Sequence, residues 1–311
     1  MERPVKVACV QVEPVVLDRE ATLDKLEQIA AEAAREGAEL VVFPETFVPV
    51  YPSSAWAKAL AGWETPGAKE TFARLAQESV AVGSPAERRI GAAAKELGIW
   101  IVTGVNEVEP ERPGTIYNSL LYHSPAGELA LHHRKLVPTN HERLVWGQGD
   151  GRGLEAVETG FGRLGGLICW ENYMPLARVA LYESGVEIYV ASTADDGDAW
   201  QQTLVHIARE SRAYVRCAGA LPARVGVSGR LPARRGDRGS RNDRPRRQRD
   251  PCPGRLVPRR AAVRRGGNPL RGARPGAALG GAAAVRPRRA LPPPRRAVAD
   301  GERAAAVKLM T

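Results

Sequence analysis

Phe161-Gly-Arg-Leu-Gly-Gly-Leu-Ile-Cys-Trp-Glu-Asn172 reads as a buried strand that delivers one cysteine to a turn. Gly165 and Gly166 let a second backbone pass closely, and Leu167 and Ile168 supply apolar, strand-forming bulk. Asn172 followed by Pro175 marks the exit into a helix. The thiol of Cys169 is therefore expected at a strand end. A thiol there does chemistry only when a base removes its proton and a cation steadies the charge that follows attack.

Candidates for both lie upstream. Residues 5–12 suit a core strand. Asp18 is placed to cap a helix whose apolar positions Leu23, Leu26, Ile29, Ala30, Ala33 and Ala34 recur at three and four residues, with Gly37 closing it. Residues 39–45, Glu-Leu-Val-Val-Phe-Pro-Glu, form the next apolar run, so the opening reads strand, helix, strand and predicts an α/β sheet. Glu45 ends that run. It is either an ordinary loop acid or a general base whose pKa is raised by a desolvated site.

Residues 54–67 are punctuated by Pro and Gly and carry Trp56 and Trp63, which predicts a loop that either lines a substrate pocket or packs the core. Helical stretches at 68–77 and 85–97 lead to a buried strand at 99–104. A hairpin of 116–123 and 128–133 turns about Pro125-Ala-Gly127. It runs into His132-His-Arg-Lys135, and Glu142 follows seven positions later. Lys135 is either a solvated face residue or the cation the thiol needs. The histidine pair lacks a third ligand at helical or hairpin spacing, so no metal is expected. Beyond Cys169 a helix at 174–183, a strand at 187–193, a turn at 195–198 and a helix at 200–213 complete the pattern. The acidic turn lacks the bidentate acid of a calcium loop.

Taken jointly, Glu45, Lys135 and Cys169 are three strand-end groups that make one reaction centre. The glutamate deprotonates the thiol, the thiolate attacks a carbon multiply bonded to nitrogen or oxygen, and the lysine stabilises the developing charge. At this point the sequence resembles the nitrilase superfamily, through Phe-Pro-Glu45, His-Arg-Lys135 with Pro138 and Glu142, and Cys169-Trp-Glu-Asn172. The match runs over about residues 5–215. The Cys-Trp-Glu-Asn run, with His141-Glu-Arg143 and Gly147-Gln-Gly-Asp-Gly151, is similar to the nitrilase branch; amidase and carbamoylase branches usually show other residues after the cysteine.

The resemblance implies a four-layer α-β-β-α sandwich whose subunits pair into homo-oligomers. It also implies hydrolysis of a small-molecule nitrile to a carboxylic acid and ammonia, without metal or organic cofactor. By the same carry-over Cys169 forms a thioimidate and then a thioester, Glu142 orients the triad, and the Trp170 backbone amide helps hold the charged intermediate. Trp56, Trp63, Trp146, Trp170 and Trp200 are candidates to line the pocket. An amidase or carbamoylase of the same superfamily is the alternative.

Composition divides the chain in two. The 311 residues carry a formal charge of +10, but residues 216–311 alone hold 24 arginines and one lysine against five acidic residues, and none of the 17 aromatics. Residues 1–215 read as the hydrolase domain. Residues 216–311 read as an Arg/Pro/Gly/Ala-rich segment too poor in apolar bulk to fold, where the family continues with strands and a pairing segment. Two origins compete, a basic arm for nucleic acid or anionic surfaces and a shifted reading frame in GC-rich DNA. The second is favoured, because arms selected for charge generally use lysine too, and nucleic acid is not expected as a partner. Cysteines at 9, 169, 217 and 252 fit no disulfide framework, and no stretch approaches about 20 apolar residues. A reducing cytoplasm without membrane attachment is therefore expected. Translating the coding DNA in its other two frames tests the frame shift: strand-like, aromatic-containing text after codon 215 is the expected outcome, and its absence removes the idea.

Overall fold

Alternation along three short strands sets the layers. The computed structural model describes residues 5–62, 64–195, 197–216, 218–219 and the backbone of 258–260. The readings of Trp63, of Cys217, of Cys252 and of most of 216–311 therefore lie outside the described residues, and everything described lies in one unit, Met1–Val263. β1 (Lys6–Cys9), β2 (Leu40–Val42) and β3 (Trp100–Glu109) are parallel neighbours. β3 then pairs antiparallel with β4 (Arg112–His123), and β4 with β5 (Leu129–Arg134). In a strand successive side chains point to opposite faces. Val7, Leu40, Val42 and Val102 accordingly enter one core, while Ala8, Val41, Phe43 and Ile101 enter another.

The second of these cores is closed by α1 (Arg19–Arg35) and α4 (Pro85–Leu97), through Leu23, Leu26, Ile90 and Ala94. α1 starts where the sequence predicts: the Asp18 carboxylate accepts from Ala21 N at 2.9 Å, and Gly37 at φ 84° follows its last turn. The first core is closed by a second sheet of β6 (Val157–Thr159), β7 (Gly162–Gly166), β8 (Ile188–Val190) and β9 (Tyr214–Arg216), contributing Leu164, Ile168, Ile188 and Val190. Tyr189, Ala191 and Leu167 face the other way, onto α5 (Pro175–Glu183) and α6 (Asp198–Ser211). The result is the expected sandwich of helices, two sheets and helices. Among the described residues no helix is long and apolar enough to cross a membrane.

Two differences from the sequence reading have local causes. Where a loop was expected at 54–67, α2 (Ser54–Leu60) forms, because Ala55, Ala57, Lys58, Ala59 and Leu60 are strong helix formers and Ser53 Oγ accepts from Trp56 N. α3 (Ala68–Glu78) follows it. A short strand, β10 (Pro258–Arg260), pairs antiparallel with β1 at the sheet edge, and its proline stands first in an edge strand, where a missing N–H is tolerated.

The close approaches expected of the paired glycines are real. A Cβ on Gly166 would lie 2.0 Å from Val190 O, and one on Gly104 would lie 2.2 Å from Pro44 O and 2.8 Å from Glu45 Cα. Bare backbone at Gly104 is thus what lets the segment carrying Glu45 lie across β3.

The three strands β3, β4 and β5 are tied by one acid. Glu107 accepts from Ser119 Oγ at 2.5 Å, from His132 Nε2 at 2.7 Å and from Arg134 Nε at 3.0 Å. Burial works to raise its pKa, but the His132 and Arg134 bonds win and hold it at about 2. A depressed carboxylate contributes stability that is fully present above its ordinary value of 4.5 and is lost as pH falls towards about 2. Denaturant titrations from pH 6 to 2 on the native chain and Glu107→Gln should therefore converge at low pH. The native advantage at pH 6 should be on the order of 3 kcal/mol; curves separated by a constant gap would contradict the account.

Candidate active site

The three residues singled out from the sequence leave three strands within a few residues of their ends. Glu45 follows β2, Lys135 is the first residue after β5, and Cys169 comes just after β7. All three are buried. Lys135 Nζ donates to Glu45 Oε1 at 2.9 Å and to Glu142 Oε2 at 2.7 Å, so one ammonium is shared by two carboxylates. Asn118 Nδ2, from β4, donates to Glu45 Oε1 at 2.7 Å, and Ala194 N donates to Oε2 at 2.8 Å. Every one of these partners is a donor, which is the environment of an ionised carboxylate. Glu142 is fixed in the same way, accepting from Thr139 N at 2.6 Å and Tyr51 OH at 2.8 Å.

The charges are strongly biased. Burial pushes the Glu45 carboxyl above its usual range; Lys135 pulls it back and Glu142 pushes it further up. For Lys135 burial acts to remove the charge, but Glu45 and Glu142 outweigh it and its pKa is raised. The ammonium is a fixed cation. Burial followed by the Glu45 charge also pushes the Cys169 thiol up, with Lys135 opposing, which favours the protonated sulfur.

Cys169 itself has φ 49°, the left-handed region that a non-glycine residue adopts only under constraint, and it starts a 3-10 turn, Cys169–Tyr173. Constraints are present on all sides. Cys169 N donates to Ser192 O at 2.8 Å, and Asn172 Nδ2 donates to Cys169 O at 2.8 Å. Tyr189 OH donates in turn to Asn172 Oδ1 at 2.8 Å. Trp170 N has no backbone partner among the described residues, as expected for an early N–H of a helical turn. The Thr193 hydroxyl lies 3.0 Å from Cys169 Sγ.

Glu171 is the residue that sequence reasoning passed over as an incidental part of the motif. It is buried, and it accepts from Ile168 N at 2.8 Å, from Leu136 N at 2.7 Å and from His133 Nε2 at 2.9 Å. One carboxylate thus clasps the residue before Cys169 to the residue after Lys135. The histidine pair of the hairpin is used the same way: His132 binds Glu107 and His133 binds Glu171.

The tryptophans separate. Trp170 is 50% exposed, and its Nε1 donates to Asp195 Oδ2 at 2.8 Å. Trp146 lies with Lys135 Nζ 5.9 Å from its ring centroid and donates from Nε1 to Asn106 Oδ1 at 2.7 Å. Trp56 packs in the same apolar cluster as Trp146, with Val50, Leu75 and Val145. Trp200 is buried in the layer of α5 and α6, against Leu181 and Ile207. That packing is the placement a core side chain has, and it sets Trp200 on the helix side of the second sheet.

The carbon-nitrogen hydrolase family model matches residues 6–233, a span that runs past Val215. The chain is 44% identical over 213 residues to an aliphatic nitrilase of Sinorhizobium fredii, covering 68% of each chain. It is 41% identical over 215 residues to a bifunctional nitrilase/nitrile hydratase of Nicotiana tabacum and 40% identical over 214 residues to nitrilase 1 of Arabidopsis thaliana. Both of these matches cover 69% of this chain and 61% of the relative, so the chain spans about three fifths of the length of those plant proteins. Among solved structures, Saccharomyces cerevisiae Nit3, a member of branch 10 of the nitrilase superfamily, gives a TM-score of 0.58 at 21% identity, covering 70% of this chain and 76% of that one. A carbon-nitrogen hydrolase of Helicobacter pylori gives 0.56 at 19%, covering 70% and 74%. At such identities the likeness is one of fold.

The Glu171 clasp makes a stability prediction. In Glu171→Gln one acceptor becomes an NH2 group facing N–H donors, which should cost about 3 kcal/mol. Thermal melting should show a fall of roughly 5–10 °C. An unchanged melting temperature would mean that the two turns are held by something else.

Proposed function

The chain belongs to the carbon-nitrogen hydrolase family, and on that premise we propose that it hydrolyses a nitrile to the carboxylic acid and ammonia through a covalent adduct on Cys169. The observation that carries the reading is the buried arrangement itself: Lys135 Nζ donates to both Glu45 and Glu142, and the Cys169 thiol is buried close enough for the Glu45 charge to push its pKa up and for Lys135 to oppose that. Identities of 40–44% to proteins named as nitrilases, and the Cys169-Trp-Glu-Asn172 run, support the nitrile as substrate class.

Glu45 takes the S–H proton as sulfur adds to the nitrile carbon; one π pair moves to nitrogen, which receives that proton and leaves a thioimidate. A water, relieved of a proton by Glu45, adds to the same carbon, and the tetrahedral adduct expels ammonia to leave a thioester. A second water cleaves the thioester, releasing the acid and restoring the thiol. One nitrile and two waters become one acid and one ammonia. Lys135 is held charged throughout and steadies the tetrahedral adducts electrostatically, Trp170 N–H adds a donor, and Glu142 holds the lysine in place. Trp170 and Trp146 are the aromatic side chains assigned to the substrate's side of the site. We assign the chemistry to residues 1–215 and the enzyme to a reducing cytoplasm, where Cys169 stays a thiol.

Ammonia release from aliphatic and aromatic nitriles, with the matching amides alongside, tests the proposal. Nitriles should be turned over, and Cys169→Ala should lower the rate by at least about 10^3-fold. Because Glu45 acts only when ionised and burial raises its pKa, the acid limb of kcat/KM should have its midpoint above 4.5. Faster release from the amides would reassign the substrate class, and folded protein releasing nothing from either would sink the reading.

A further inference from the structure

We propose that Thr193 is a further catalytic residue, its hydroxyl donating a hydrogen bond to Cys169 Sγ that stabilises the thiolate each time the sulfur is freed. The inference rests on the reading of Cys169 as nucleophile, and it adds a hydrogen bond to the reacting atom from the segment after β8, which the motif does not include.

The direction of the bond follows from its partners. Thr193 Oγ1 lies 3.0 Å from Cys169 Sγ and 2.9 Å from Asp195 N. A backbone N–H can only donate, so the threonine oxygen is the acceptor there. Its single hydrogen is left for the sulfur. The sulfur accepts, because its own proton is the one Glu45 removes. The hydroxyl is also held in place: Thr193 is buried, Thr193 N donates to Ala218 O at 3.0 Å, and the next residue supplies Ala194 N to Glu45 Oε2. One short segment after β8 therefore touches both the nucleophile and its base.

The energetic logic favours such a bond. Lowering the pKa of a thiol that is protonated at working pH by one unit raises the thiolate fraction tenfold, while nucleophilicity falls only about threefold for a Brønsted slope of 0.4–0.5. Attack gains about threefold, and a sulfur of lower pKa also leaves faster when water cleaves the thioester. Set against this are the groups that face the sulfur. Glu45, Glu142 and Tyr51 disfavour a thiolate or are disfavoured by it, and Lys135 alone among the ionisable groups favours it. A neutral donor helps the sulfur without adding a charge that would disturb the lysine and its two carboxylates.

The test uses the full chain and three variants. Thr193→Val keeps the shape and removes the hydroxyl, Thr193→Ala removes it with less bulk, and Thr193→Ser restores it. Iodoacetamide labelling of the Cys169 peptide, followed by mass spectrometry across pH, reads the thiolate directly and needs no substrate. Whichever of the Val and Ala variants melts as a folded protein should show its labelling midpoint moved to higher pH and kcat lowered about threefold for each unit of that move, with KM little changed. The Ser variant should return both towards the native values. A folded Val or Ala variant with the native labelling profile overturns the proposal, as does a Ser variant that behaves like Val. Because labelling is independent of turnover, absence of nitrilase activity in the native chain would count against the proposed reaction and leave the role of Thr193 decided by the profile.

Discussion

The structure depends on one ammonium placed where water does not reach. Lys135 is buried between two carboxylates, and none of the three charges is tolerable there alone. The arrangement stands because every carboxylate oxygen is met by a donor: Asn118 and Ala194 serve Glu45 beside the lysine, while Tyr51 and Thr139 serve Glu142. These donors come from β4, from the segment after β8, from the segment before α2 and from the turn after β5. Satisfying a single buried cation thus fixes the relative position of both sheets at their strand ends.

The same constraint explains the oddities of the backbone around it. Glycine at 104 is needed because the Glu45 segment crosses β3 with no room for a side chain. Cys169 adopts a positive φ because its carbonyl is tied to Asn172, its N–H to Ser192 and the preceding N–H to Glu171. Strain at the cysteine is maintained by a ring of bonds, and the ring is anchored in the second sheet through Tyr189. Glu171 then joins this turn to the lysine's turn. The Cys169 and Lys135 turns are held to each other by the Glu171 carboxylate as well as by charge.

Much of the fold was legible because its signals are local. Asp18 and Gly37 bracket α1, and the continuous apolar runs of β2 and β8 mark strands buried on both faces. The stretch 54–67 opens with a helix where a loop was expected for an equally local reason: its Pro and Gly lie after a helix-forming run. Trp200 illustrates a different limit. An aromatic side chain on an amphipathic helix reads alike whether it lines a pocket or a core, and only the packing of α6 on the second sheet decides.

The sequence by itself singled out the residues to which the proposed chemistry is assigned. Glu45, Lys135, Glu142 and Cys169 are recognisable from residue type, from their position after apolar runs and from the company they keep in the motifs. It also determined the α/β class, because apolar runs and helical period are written residue by residue, while the four layers came only with the family resemblance. Tertiary structure alone decided which donors complete the site. Asn118 reads as one polar residue in a hairpin, Thr193 as a strand-forming threonine and Glu171 as one acid within the cysteine motif. Their roles come from contacts spanning 73, 24 and 35 residues of chain. Hydrogen bonds of that span leave no periodic trace, since nothing in the local backbone requires the partner to exist.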